Sequence, residues 1–531
     1  MKKSFKLLLF ALMAISAAAL YLAIFNPSFN KNSAKHHKVN VMEENAKIIQ
    51  GLEPVELFKS FLDISTIRRD SGYEAGIARY VITNAQKNHL KWITNAYHDV
   101  IVEVPASGRE YANRSSITFQ FHGDMVHEPK NKNIWPIAFR VKDDLLSATN
   151  TTLGADDGIG LAAGIALMNP GLRDLSGKEV KHGPFKLIMT TGEETTMNGV
   201  VNLDFSTLQT NKIIENLDSE DEGTITVGSA GALKAAINLK VHFVDSKQPG
   251  TMYRIKISNL LGGHSGVEID KHRLNAIEAL IPLLSDKDLD LSLVSIKAGS
   301  AINTIPRDLE MEVFVSGKNN QKLSNAVLVL EKKILSDYPN EKPLLVSQTV
   351  SNSGLKIMAG DDQKKLLDIL NKIPNGVQKK ETFDPTMVQS SNNLASIDMS
   401  KDVVVIKTMA RSSMLVWLNS FEKSITRLVE SNGATIKVLA KYEPWQPQFN
   451  TPLSREASAK YFSLFHKKLK IKTTHGGLEC SIFYQKIPNA QIISFGPSVF
   501  NPHTPNESVS ISSIKRFWEF LLSMVKTKLK T

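Results

Sequence analysis

The chain has 531 residues, a formal net charge of +11 and a single cysteine, Cys480. One hydrophobic core cannot serve a chain this long, so two domains, or one domain carrying a large insertion, are expected. Apolar residues at 42% and charged residues at 22% exclude a disordered protein; one cysteine excludes an intramolecular disulfide and a multi-thiolate zinc cage, and scattered lysines without an aromatic-basic motif argue against nucleic acid as a partner.

The N-terminus reads as a segment apart. Lys2 and Lys3 precede an apolar run from Leu7 to Phe25, the pattern of an export signal. The run is nearly long enough to span a bilayer, and its small residues Ser16 to Ala19 lie inside it. Residues 1–25 are therefore expected to stay as a membrane anchor, with the body outside the cytoplasm, on the periplasmic side, or exported. Residues 26–47, rich in Asn, Lys, Ser and His, read as a tether.

From Glu53 to Leu62 a short helix is predicted. Strand, loop and helix then alternate to about residue 235: SITFQF (116–121), the small-residue helix GIGLAAGIALM (158–168), FKLIMTT (185–191) and KIIENL (212–217). QIISF (491–495) and an amphipathic helix over 512–528 close the chain. This alternation predicts an α/β domain, a mostly parallel sheet covered by helices, over 48–235 plus 441–531. Between them, YRIKIS (253–258) and DLEMEVFV (308–315) alternate polar and apolar residues, VVVIKT (403–408) is a further strand, and 324–338 and 420–431 read as helices. That pattern predicts an antiparallel sheet with helices on one side, an α+β domain inserted over 236–440.

Each strand of the first domain leads to a residue able to bind metal. SITFQF runs into His122-Gly123-Asp124, FKLIMTT into Gly192-Glu193-Glu194, KIIENL into Asp218, and QIISF through Gly496-Pro497 to His503. Asp156, in Gly154-Ala155-Asp156-Asp157-Gly158, opens the small-residue helix. In open α/β sheets, sites gather beyond the carboxyl ends of the strands. Taken singly, each has a plainer explanation: a structural histidine, a solvated Glu pair, a helix cap, a tight turn. Together, Asp156, Glu194 and Asp218 bring three negative charges to one edge, which two divalent ions would offset.

The order of motifs FHGDMVHE (121–128), TTLGADDGIGLAAGIALM (151–168), TTGEETTMNG (190–199), ENLDSEDEGTITVGSAGA (215–232), LLGGHSGVEID (260–270), SAINTIPRD (300–308), ARSS (410–413), THGGLECSIF (474–483) and FGPSVFNPHTP (495–505) resembles the M20 metallopeptidases. It looks most like their aminoacyl-histidine dipeptidases, also called peptidase D or Xaa-His dipeptidases. The resemblance implies that His122 binds one metal and His503 the other, that Asp156 bridges both, and that Glu194 and Asp218 complete the two shells. It implies that Asp124 orients the His122 ring, that Glu193 is the general base, and that His264 supplies a donor for the tetrahedral intermediate. Asn303 and Arg411 resemble substrate-side residues, Arg411 for a free C-terminal carboxylate. Two divalent ions, zinc with manganese or cobalt as alternatives, and a dimer through the inserted lid domain are implied with them. The implied reaction is hydrolysis of dipeptides, of Xaa-His type, by a metal-bridged hydroxide. Three departures stand out: Gly123 sits where the family carries a larger residue, Ile302 where relatives carry Arg, and the expected export segment precedes a body that resembles soluble cytoplasmic proteins. Alternatives are an aminoacylase or short-peptide exopeptidase of the same family, and an inactive membrane-tethered binding protein. The last would be marked by loss of Glu193 or a ligand, and all are present. Cys480 with His475 nearby is set aside as a nucleophile in favour of a buried, inert thiol.

Overall fold

The computed structural model describes residues 40–129, 134–246, 249–350, 356–382 and 384–528. The expected anchor, and the expected tether up to residue 39, lie outside the described residues. Residues 40–47, expected to end the tether, are instead part of a helix over 40–49. That helix is docked on the body: Val41 and Asn45 are buried, and the Asn45 amide donates to the Ile137 carbonyl and accepts from the Phe139 N–H, both at 2.8 Å. Among the described residues no helix is long and apolar enough to cross a membrane.

The chain divides into two compact units, Met1–Ile225 with Asn450–Lys470 and Ile487–Thr531, and Thr226–Phe449 with Ile471–Lys486. The first unit is built on β1 (Lys91–Thr94), β2 (Val100–Val104), β3 (Ile117–His122), β4 (Phe185–Thr190), β5 (Ile213–Asn216) and β6 (Gln491–Ser494). They lie in the order β1-β2-β4-β3-β5-β6. β4, β3, β5 and β6 pair in parallel, and β1 and β2 add an antiparallel flank. The parallel strands are rich in buried apolar residues because both faces of such a sheet are covered: Phe119, Phe121, Leu187, Ile188, Ile213, Ile214, Ile492 and Ile493 are all buried. Helices α1 (Val55–Ile64), α2 (Ala155–Leu167) and α3 (Ile511–Val525) belong to the same unit. Gly164 lets α2 approach β3 closely, since a Cβ there would lie 2.2 Å from the Phe121 ring. A small four-stranded sheet includes Val499–Phe500 and Ser508–Ser510, which pair antiparallel and hold the loop carrying His503.

The second unit is a nine-stranded sheet. Its pairings are antiparallel, running from Leu344–Val350 at one edge through Gly250–Ser258, Leu309–Ser316, Ser292–Ala298, Val388–Ser400, Val403–Ser412 and Gly231–Lys240 to Thr435–Tyr442. Helices Ala276–Ser285, Asn320–Asp337, Gly360–Lys372 and Leu415–Ser431 accompany it. Their apolar stripes join the alternate residues of the strands, such as Ile255, Ile257, Met311 and Val313, in one core.

Candidate metal centre

Parallel pairing places the carboxyl ends of β3, β4, β5 and β6 at one sheet edge, and the chemistry follows from that. His122 is the last residue of β3. Its Nε2 lies 3.2 Å from Asp156 Oδ1 and 3.4 Å from Asp218 Oδ1. His503 Nε2 lies 3.0 Å from Asp156 Oδ2 and 3.0 Å from Glu194 Oε2. The two oxygens of Asp156 therefore face two different imidazoles, with Asp218 beside one and Glu194 beside the other. Asp124 is fully buried; its carboxylate lies 3.6 Å from His122 Nδ1. It accepts from Ser71 Oγ at 2.7 Å and from the N–H groups of Glu193 and Glu194 at 3.1 and 3.3 Å. One carboxylate thus ties the end of β3 to the Glu193-Glu194 turn after β4. Gly123 has a steric reason: a Cβ there would lie 2.9 Å from Met189 Sδ.

The electrostatics describe a site short of positive charge. Burial, then repulsion from Asp156, raises Glu194 above the ordinary carboxylate range. Burial pushes Asp218 up to about 7. The imidazoles are raised as well, here because the neighbouring carboxylates favour their cations. Burial disfavours their cations, yet Asp156 and Glu194 raise His503 to about 12, and Asp218, Asp124 and Asp156 hold His122 well above its usual range. Burial opposes ionisation of Asp156 too, and its bonds to His122 and His503 overcome it. Protons on the two rings do the work that other cations can do, and a ring that binds a metal must give its proton up.

The donor set fits divalent metal. His122, Asp156 and Glu194 offer ligand atoms within 4.8 Å of one another, and so do His122, Asp157 and Asp218. Glu194 Oε1 is buried with no hydrogen-bond partner, a cost that a cation would remove. Asp157 was not foreseen. Its Oδ2 accepts from the His122 N–H at 3.2 Å and its Oδ1 from the Gly160 N–H at 3.1 Å, so it braces the start of α2 against β3. The helix expected over 158–168 runs regularly from Gly158, and the turn of α2 before it is non-helical at Asp156 and Asp157.

Two further braces were missed. Glu507 is completely buried and accepts from the N–H groups of Gly154, Ala155 and Asp156 at 2.8, 2.8 and 3.2 Å. Burial lifts it to about 7. Arg69 is buried and donates to the carbonyls of Gly123, Asp124 and Gly154. Glu507 and Arg69 lie outside every strand-end pattern, and their contacts span 351 to 353 and 54 to 85 residues of chain. Gly154 has φ +70°, and a Cβ there would meet Arg69 Nη2 and Met125 Sδ at 2.6 Å.

The remaining expected residues lie in the second unit. His264 closes the short strand Gly263–His264, paired with Thr304–Ile305. Its Nδ1 accepts from the Val267 N–H at 3.3 Å, so the neutral ring carries its proton on Nε2. That nitrogen faces Arg411 Nη2 at 3.5 Å. Arg411 is buried beside it with Nε unpartnered. An anionic oxygen suits both. Asn303 is exposed; its carbonyl accepts from the Ser265 N–H at 2.8 Å. His475 lies by Arg411: burial, then the Arg411 charge, holds its imidazole down at about 3, and its Nε2 bonds Ser391 Oγ at 2.7 Å. Cys480 is buried.

The model of peptidase family M20/M25/M40 matches residues 118–527. Over 485 residues, 90% of this chain and 98% of the other, the chain is 29% identical to the cytosol non-specific dipeptidase of Escherichia coli (strain K12). Among solved structures, the aminoacylhistidine dipeptidase of Vibrio alginolyticus is similar with a TM-score of 0.76 and 28% identity, covering 91% of this chain and 99% of that one. Aminopeptidase PepT from Bacillus cereus shares the fold, with a TM-score of 0.51 and 15% identity over 89% and 98% of the two chains. The expected placing of the body outside the cytoplasm on a membrane anchor is corrected by these matches: the relative covered almost end to end is named for the cytosol. A run of apolar residues behind two lysines was the whole basis of that expectation. With the family model spanning most of the chain, this protein belongs to peptidase family M20/M25/M40, a hydrolase of peptide bonds with a catalytic and a lid domain.

Proposed function

We propose that the protein is a dipeptidase that works with two divalent ions, zinc first and manganese or cobalt as alternatives, and that dipeptides ending in histidine are among its substrates. The observation that carries this reading is Asp156, whose two oxygens face His122 and His503 while Asp218 and Glu194 flank them. In it His122 and Asp218 would hold one ion and His503 and Glu194 the other, with Asp156 offering an oxygen to each side. When bound, such a pair lowers the pKa of a shared water and polarises a carbonyl. Glu193 takes the proton of the attacking water and passes it to the leaving amine. Its place is set through its own N–H, fixed on Asp124. His264 donates from Nε2 to the oxygen that gains charge, Arg411 pairs with the substrate's carboxylate, and Asn303 contacts the substrate.

Specificity is open to a direct comparison. One relative is named non-specific and the similar structure aminoacylhistidine dipeptidase. Hydrolysis of a dipeptide panel by the zinc-loaded protein, with Glu193→Gln as control, ranks Xaa-His against the rest. Cleavage of acyl-amino acids or tripeptides with dipeptides untouched overturns the dipeptidase assignment. Light scattering of the same preparation tests the dimer that the resemblance implies.

A further inference from the structure

His264 sits in a turn that is fastened around it. Its N–H donates to Glu268 Oε2 at 2.8 Å, and its carbonyl accepts from the Glu268 N–H at 3.1 Å. Glu268 therefore holds both main-chain polar groups of His264. The other carboxylate oxygen, Oε1, accepts from Arg273 Nη2 at 2.5 Å, and Arg273 Nη1 donates to the Gly262 carbonyl. Carboxylate and guanidinium close around Gly263. A Cβ there would lie 2.2 Å from Arg273 Nη1 and 2.5 Å from Glu268 Oε2, and φ is +135°, so glycine alone fits.

The turn is closed further out as well. Glu341, buried, accepts from the N–H groups of Leu261 and Leu274 at 2.7 and 3.0 Å. With Nδ1 taken by Val267, Nε2–H is the ring's proton-bearing nitrogen, aimed at Arg411. The Glu268 and Arg273 side chains are 31% and 23% exposed. A partly exposed ion pair adds little stability by itself, so its wrapping of the His264 main chain calls for another account.

We propose that Glu268, clamped by Arg273, is a positioning residue for His264, fixing its main chain so that Nε2–H stands preset, beside the Arg411 guanidinium, to donate to the substrate oxygen that gains charge. The proposal rests on the assignment of His264 to the substrate made above. In Glu268→Gln the amide keeps one acceptor. If that oxygen meets the His264 N–H, the NH2 group opposes Arg273; turned over, it opposes His264. One fastening is lost in either placement.

The test uses the full-length, zinc-loaded protein with alanyl-histidine as probe. Glu268→Gln is expected to lower kcat about tenfold or more, since small misplacements of a catalytic group cost up to about 10²-fold, with KM and metal content unchanged. In a His264→Ala background the same substitution is expected to change kcat less than about twofold, because the two act as one unit. Nitrogen-15 histidine spectra give a readout independent of turnover. His264, assigned by its loss in His264→Ala, shows protonated Nε2 and bare Nδ1 in the wild type and averaged shifts in Glu268→Gln. Equal losses of kcat in both backgrounds, or wild-type kcat together with a wild-type His264 spectrum, overturn the proposal. Wild-type kcat in His264→Ala would instead remove the assignment of His264; unaltered His264 shifts in Glu268→Gln then overturn the clamp as well.

Discussion

Glu215 lies in β5 with no exposure, and neither carboxylate oxygen has a hydrogen-bond partner. Burial pushes it up to about 8; the charge of Lys460 opposes the shift and that of Glu456 adds to it. The unfolded chain loses this proton near the ordinary glutamate value while the folded chain keeps it. Between those two values folding takes up one proton, and stability falls as pH rises. The slope is about 1.4 kcal/mol per pH unit, so the group removes roughly 3 kcal/mol between pH 5 and pH 8. Glu215→Gln keeps the shape and removes the titration. Lys460 is left with partners, since it donates to the Ser523 carbonyl and Thr527 Oγ1 at 2.7 and 2.8 Å. Urea unfolding of the metal-free protein at pH 5, 6, 7 and 8 measures the difference. The variant is expected to match the wild type near pH 5 and to exceed it increasingly towards pH 8. Parallel stability profiles for the two proteins would refute the reasoning.

Asp124→Asn weakens the acceptor for two turn N–H groups beside the His122 ring; metal affinity, measured by competition with a chromogenic chelator, should fall about 10- to 100-fold. Glu507→Ala leaves the buried N–H donors of Gly154 and Ala155 without an acceptor, at about 1 kcal/mol or more each, together with the part-buried N–H of Asp156, so its urea midpoint should drop well below the wild type at unchanged m-value. Gly154→Ala forces a Cβ onto Arg69 and Met125 at positive φ; it should cost about 1–2 kcal/mol from the backbone alone and lower metal affinity too. Chelation should abolish hydrolysis and lower Tm, and added zinc should restore both.

The parallel sheet explains why so many residues of the candidate site could be named from the sequence. A strand that ends in a parallel sheet delivers its next residues to one edge, so His122, Glu194, Asp218 and His503 could be read from their positions just after the apolar runs. The strands themselves were found to within a few residues because they are buried on both faces. The features that escaped depend on long-range closure. Glu507 meets Gly154 from 353 residues away, and Arg69 gathers three carbonyls from two loops; neither leaves a periodic trace. Asp157 looked like part of a turn because its carboxylate bonds backbone groups, which single-sequence patterns do not record. The helix over 40–49 was hidden by polar composition, since it presents few buried residues and docks through Asn45. The grouping of Ile471–Lys486 with the second unit had no local signal, because it is decided by the residues that pack there.

The central claim is that the carboxylates and imidazoles at the sheet edge hold two catalytic ions. Its most direct test is elemental analysis of the purified protein joined to dipeptide hydrolysis, with Glu193→Gln alongside. The account predicts about two zinc ions per chain in both proteins, and a loss of about 10² to 10⁴ in kcat in the variant alone. A protein that binds no divalent ion, or a Glu193→Gln variant as active as the wild type, would contradict it.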